Sequence, residues 1–205
     1  MAPDDQRPMR YDKLAQYALV TAGVLALGFC MTEFLESYLY EATEARKFDR
    51  ELDIREESKG KFSEYIAPVV APRDGEVIGQ LEIPRLGVFV IVVEGADPGD
   101  LKHAVGHISG TPLPGESGNV GIAGHRDTFF RPLRFTQRGD KIVLRTLRGT
   151  YRYRVISTTL VRPADVQVLN PIGRDTLTLV TCYPFYYVGP APERFIVRAE
   201  RLIVE

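Results

Sequence analysis

An excess of charge of either sign is missing. The formal net charge is -1, from 26 Lys and Arg against 27 Asp and Glu, so the chain carries no basic field for nucleic acid. Cysteine is scarce as well, with only Cys30 and Cys182. Cys30 falls in an apolar run, which leaves the rest of the chain one cysteine and no internal disulfide. An unpaired cysteine in an exported domain points to a reactive thiol. Internal repeats and low-complexity tracts are lacking, and helical periodicity is confined almost wholly to the first sixty residues. No cluster of acidic side chains forms a calcium cage, and no cofactor is implied. His103 and His107 have the four-residue spacing of paired metal ligands. Gly106 lies between them and no third ligand is near, so zinc is not expected and both are read as structural.

What is present begins with Leu14 to Met31, eighteen residues without a charge. With Thr32, Phe34 and Leu35 extending it, this run is long enough to span a bilayer as a helix over about residues 14–35. Arg7, Arg10 and Lys13 precede it, and Glu33, Glu36, Glu41 and Glu44 follow. That asymmetry puts residues 1–13 in the cytoplasm and the bulk of the chain outside, a single-pass membrane protein. Tyr11, Tyr17, Phe34 and Tyr38 are candidates for the two interfaces. Cleavage as a signal peptide fits less well, because small residues are not placed for a cut and bulky Phe29 precedes Cys30. Residues 36–74 read as a solvated juxtamembrane helix followed by a linker carrying Gly60, Pro68 and Pro72.

From Gly75 onward strand signals follow one another at short intervals: Val77 to Ile83, Val88 to Val93, Asn119 to Ala123, Lys141 to Thr146, Tyr151 to Val161, Thr176 to Cys182 and Phe195 to Ile203. Pro98 to Ala104 and Thr128 to Phe135 are the candidates for short helices. The fold class is mainly β, and many short strands in this length suggest a closed barrel or a sandwich, residues 75–205 forming one domain.

The stretch Asp175-Thr-Leu-Thr-Leu-Val-Thr-Cys-Tyr-Pro-Phe185 is where chemistry is expected. Alternation puts Leu177, Leu179 and Thr181 on one face and Thr176, Thr178, Val180 and Cys182 on the other. Cys182 thus sits at a strand end, off the leucine face, although a buried cysteine acting as a small hydrophobe is the competing reading. In Asn119-Val-Gly-Ile-Ala-Gly-His125, the tiny side chains Gly121 and Ala123 share a face with His125, where a peptide could approach the sheet closely. Asp127 is placed either to orient the His125 ring or to cap a helix at Thr128. Arg194 opens the last strand, twelve residues after Cys182.

Three positions in order carry a resemblance. Thr178-Leu-Val-Thr-Cys182 resembles the Thr-Leu-x-Thr-Cys segment of sortases, the membrane-anchored cysteine transpeptidases of bacteria. Gly124-His125-Arg126 is similar to their histidine segment, and Arg194 to their arginine. The resemblance covers about residues 76–205 and implies an eight-stranded β-barrel. The single N-terminal anchor, Cys182-Tyr-Pro184 and the lack of an Asp-Pro-aromatic lid motif make it most like class D or class E rather than the pilin type. It implies Cys182 as nucleophile, His125 as general acid and base, and Arg194 as hydrogen-bond donor to the oxyanion or substrate backbone. Thr181, Ala123, Gly124, Asp127 and Tyr183 would support the site or bind substrate. The implied partners are proteins with a C-terminal Leu-Pro-x-Thr-Gly-like sorting signal and an amine acceptor, a peptidoglycan cross-bridge or a pilin lysine. A cysteine peptidase that passes the acyl group to water, or a silent tethered binding domain, are the alternatives to transpeptidation.

Overall fold

A computed structural model describes residues 9–59 and 71–203. Arg7 and the linker residues Gly60 and Pro68 lie outside the described residues. The first element is one long helix, α1 (Met9–Lys59). Its segment Lys13–Thr32 is long and apolar enough to cross a membrane, and none of it is buried. The chain divides into two compact units at Tyr40 and Glu41.

In the second unit, eight strands follow: β1 (Val77–Ile83), β2 (Val88–Glu94), β3 (Val105–His107), β4 (Asn119–Gly124), β5 (Lys141–Thr146), β6 (Gly149–Val161), β7 (Thr176–Tyr183) and β8 (Glu193–Leu202). They close into a barrel in the order β1-β2-β3-β4-β7-β8-β6-β5, with β5 pairing back onto β1. Closure leaves no open edge in the ring. The pairs β2–β3 and β4–β7 are parallel and the rest antiparallel. Seven strands follow the sequence reading. The eighth, β3, is only three residues long, too short for an alternation to register. The helical expectations shrink to 3-10 turns at Asp100–Lys102 and Arg131–Phe135, joined by two more at Pro84–Leu86 and Val166–Leu169.

Alternation fills the interior. Leu81, Ile83, Val90, Val92, Val120, Ile122, Leu144, Leu177, Leu179 and Val197 form the core with Phe130 and Leu133 from the β4–β5 connection. Burying each such side chain contributes about 1.5–3 kcal/mol. Gly106 is dictated by β3's neighbour, because a Cβ there would run into the Gly95 carbonyl. A second, smaller cluster joins Ile91, Val93 and Ala104 on the outer surface, with Ala45 of α1 and Val77 packed against it. Phe48 is buried too. The sequence reading gave this stretch of α1 no packing role. Positions 42, 45 and 48 continue one helical stripe, however, and burial there raises the Glu41 carboxyl above its ordinary range.

Candidate active site

Strand register assembles the site. β4 runs parallel to β7 with Gly124 opposite Thr181, so His125 is the next residue off the end of β4, level with Cys182. On the other side β8 is antiparallel, and Cys182 pairs directly with Arg194. Adjacent strands lie about 4.8 Å apart, so His125, Cys182 and Arg194, separated by as many as 69 positions in the chain, meet at the ends of three neighbouring strands. All three are half-buried. The inward residues Leu177, Leu179 and Thr181 are buried, whereas Val180 and Cys182 on the outer face are partly open, and Cys182 is a free thiol. A buried cysteine in the core is therefore excluded.

Local bonds fix these positions. The Thr181 hydroxyl donates to the Gly124 carbonyl at 2.7 Å, tying β7 to β4 one residue before the thiol and the imidazole. Gly124 is closed against Phe130, whose ring would stand 2.6 Å from any Cβ placed there. The Phe130 N–H in turn donates to the His125 carbonyl at 3.1 Å. The imidazole and thiol themselves make no hydrogen bond with the described residues. Arg194 Nη1 donates to the carbonyls of Ala191 and Glu193 at 3.2 and 3.0 Å, which fixes the guanidinium at the start of β8 on the residue paired with Cys182, and its Nε and Nη2 make no hydrogen bond with the described residues.

Of the supporting residues, Ala123 pairs with Val180 in the floor of the outer face. Farther back the floor is not open: Gly121 is covered by Leu169, Thr111 and Ile108, 3.1 to 3.3 Å from a would-be Cβ. Tyr183 points to the opposite face, stacked on Phe195 at 6.4 Å and edge-on to Phe185 at 5.9 Å, where it braces the β7–β8 connection. Asp127 is exposed, and its carboxylate makes no hydrogen bond with the His125 ring or the turn amides among the described residues. The turn is closed by backbone bonds instead, and the 3-10 turn starts only at Arg131, past the reach of a cap at 127.

Sequence reasoning assigned Arg126 no role. Its Nη2 donates to the carbonyls of Tyr187 and Gly189 at 2.7 and 3.1 Å, and its guanidinium lies 5.8 Å from the Tyr187 ring centre. It ties the residue that follows His125 to the β7–β8 connection. The one available signal is its place directly after His125. His107 is a structural residue: buried, with Nδ1 2.7 Å from Glu94 Oε2 and Nε2 3.1 Å from the Pro112 carbonyl.

A half-exposed thiol with an imidazole on one flank and a guanidinium on the other can run acyl transfer: attack by sulfur, proton delivery to a departing amine, and donors for the oxyanion. A family model described as "Sortase domain" matches residues 81–202. Sortase D of Bacillus subtilis is 37% identical over 132 residues, 64% of this chain and 67% of the relative. Sortase SrtE1 of Streptomyces coelicolor is 33% identical over 129 residues, 54% of this chain and 37% of that protein. Among solved structures, the sortase D5 transpeptidase of Clostridium perfringens is similar with a TM-score of 0.64 and 27% identity, over 80% of this chain and 98% of that one.

Proposed function

The chain belongs to the sortase family, and from that premise we propose that it is a cysteine transpeptidase which cleaves a Leu-Pro-x-Thr-Gly-like sorting signal and transfers the acyl part to an amine. The observation that carries this reading is the register that sets Cys182 level with His125 and opposite Arg194.

In the first half-reaction the Cys182 sulfur bonds to the scissile carbonyl carbon. Arg194 donates to the oxyanion, and as the C–N bond breaks His125 gives its proton to the leaving amine. A thioester remains. In the second, an incoming amine attacks that carbonyl, its proton passes to His125, and the C–S bond breaks to return the thiolate. Sulfur suits both halves because its thiolate attacks readily and its thioester yields to an amine. Thr181 and Gly124 hold the two strand ends level, and Ala123 leaves the outer face open beside them.

The charge asymmetry about Lys13–Thr32 supports a single-pass anchor with the N-terminus inside and the barrel on the extracytoplasmic side. The acyl donors are then surface proteins and the acceptor a peptidoglycan cross-bridge or pilin lysine. Mass spectrometry of the full chain in detergent, incubated with Leu-Pro-x-Thr-Gly peptides and amines, tests the reading. A thioester adduct on Cys182 and a ligated product are expected. Released acid alone, whatever amine is supplied, identifies a peptidase; no adduct on Cys182 overturns the proposal.

A further inference from the structure

The β4–β5 connection holds a cation with no hydrogen-bond acceptor among the described residues. Arg134 lies over two rings, its guanidinium carbon 4.5 Å from the Phe135 centre and 5.1 Å from that of Tyr186. Its Nε and Nη1 are buried and no described residue accepts from them. Arg85, Arg126 and Arg194, at the same end of the barrel, each donate to a carboxylate or to backbone carbonyls. Buried charged donors without an acceptor are costly and call for a ligand.

Arg134 edges a cavity of about 480 Å³ whose other walls include Tyr183, Pro184, Phe185 and Phe195, and no acidic side chain lines it. Tyr183 and Pro184 directly follow the nucleophile, so the cavity begins where β7 ends, on the side of the sheet to which Tyr183 and Phe195 turn. On the transpeptidase reading the acyl donor lies along the outer faces of β4 and β7 past Ala123 and Val180, which pair there, the face opposite the one to which Tyr183 turns. A chain passing the thiol and leaving the strands comes to the side where an amine departs and another enters. Nη2, the one guanidinium nitrogen that is neither buried nor hydrogen-bonded among the described residues, is left to donate a charge-assisted bond to a carboxylate oxygen.

We propose that Arg134 reads a carboxylate on the amine acceptor, so that the preferred acceptor is an amino-acid-like end in which the attacking amine and a carboxylate lie a few bonds apart. The inference rests on the transpeptidase reading. Aminolysis is unchanged by it: the C–N bond forms, the C–S bond breaks and the amine proton goes to His125, while Arg134 only positions the acceptor.

The test uses the full chain in detergent, a Leu-Pro-x-Thr-Gly donor peptide, and glycylglycine against glycylglycinamide as acceptors. Arg134→Gln is expected to lower kcat/KM for glycylglycine about tenfold relative to glycylglycinamide, the worth of one charge-assisted bond. The loss falls in the acceptor KM, the rate of thioester formation stays as in the wild type, and Arg134→Lys recovers part of the preference. Taking the ratio of the two acceptors cancels their different amine basicities. In the wild type, N-acetylglycine should compete with the acceptor while N-acetylglycinamide does not, a result independent of how any variant folds. Equal effects on both acceptors, a shift in the donor KM instead, or no competition by N-acetylglycine overturns the inference while the transpeptidase reading stands. Failure to form any thioester sinks both.

Discussion

The two ends of β7 differ in how completely their polar groups are paired. At the N-terminal end Asp175 accepts from the Ser117 hydroxyl at 2.9 Å and the Gly118 amide at 3.0 Å, and pairs with Arg201 at 3.3 Å. The Thr176 and Thr178 hydroxyls donate to Asn119 Oδ1 at 3.0 and 2.7 Å, and Asn119 Nδ2 donates to the Val168 carbonyl. At the C-terminal end the Cys182 and His125 side chains have no protein partner among the described residues, and Arg126 Nη1 with Arg134 Nε and Nη1 are buried without acceptors, against Arg198 Nε beside Thr178 in the paired half. The Thr181–Gly124 bond marks the border between them. One strand thus anchors the fold with one end and keeps unspent hydrogen-bonding capacity at the other, which is where a ligand can be bound.

The sharpest break of that comparison separates activity from stability at the unpaired end. Cys182→Ala and His125→Ala should each lower transfer by about 10⁴-fold or more, while thermal unfolding moves by less than about 1 kcal/mol, since each side chain is half-exposed and bonded to nothing. A large loss of stability with Cys182→Ala would place the sulfur in the core instead. Arg194→Ala comes next. Losing one oxyanion donor costs about 2.7–4 kcal/mol of transition-state stabilisation, seen in kcat more than in KM. Because Arg194 also holds the Ala191 and Glu193 carbonyls, Arg194→Lys should keep part of the fold's order and little of the rate.

The sequence makes the outer shape of this comparison readable and hides its inside. Leu177, Leu179 and Cys182 sort correctly by parity because a strand's period is two and the apolar face must turn inward. Arg194 is near Cys182 because a short connection between antiparallel strands returns the chain to its partner. β3 is not readable, since three residues carry no period and its parallel pairing with β2 is a matter of topology. Gly121 looks like open floor in the sequence but is filled by Leu169, 48 residues away, which no local pattern encodes. The burial of Phe48, the clip made by Arg126 and the isolation of Arg134 have the same origin: each depends on what the folded chain brings alongside.

At the paired end the order of effects reverses. Asn119→Ala should cost about 2–4 kcal/mol in denaturant unfolding, because it strands the buried Thr176 and Thr178 hydroxyls and opens a small void. It also removes one of the two donors to the Val168 carbonyl and leaves Arg198 Nη2 as the other, so the 3-10 turn Val166–Leu169 over Gly121 is held by fewer bonds. The rate per folded molecule of thioester formation at Cys182 should change much less than in the Arg194 variants. A variant with wild-type stability and a dead site would erase the division between the two ends.

The smallest effect concerns Asp175 and is read through pH. The Gly118 amide first, then the Ser117 hydroxyl and Arg201, hold its carboxyl below the ordinary carboxylate range. A carboxyl lowered in the folded state favours folding at any pH above its unfolded value near 3.8, and that advantage is lost as acid takes the pH down through the folded value. Solvent reaches 33% of this side chain, so Asp175→Asn should cost only about 0.5–1 kcal/mol at neutral pH. The gap between wild type and variant, measured by urea unfolding, should be constant from pH 7 to about pH 5 and close on further acidification. A gap that survives at pH 2 would mean that Asp175 acts through its shape and neutral hydrogen bonds. In that case the pairing at this end of β7 would be a matter of packing, and charge would matter only at the end that carries the thiol.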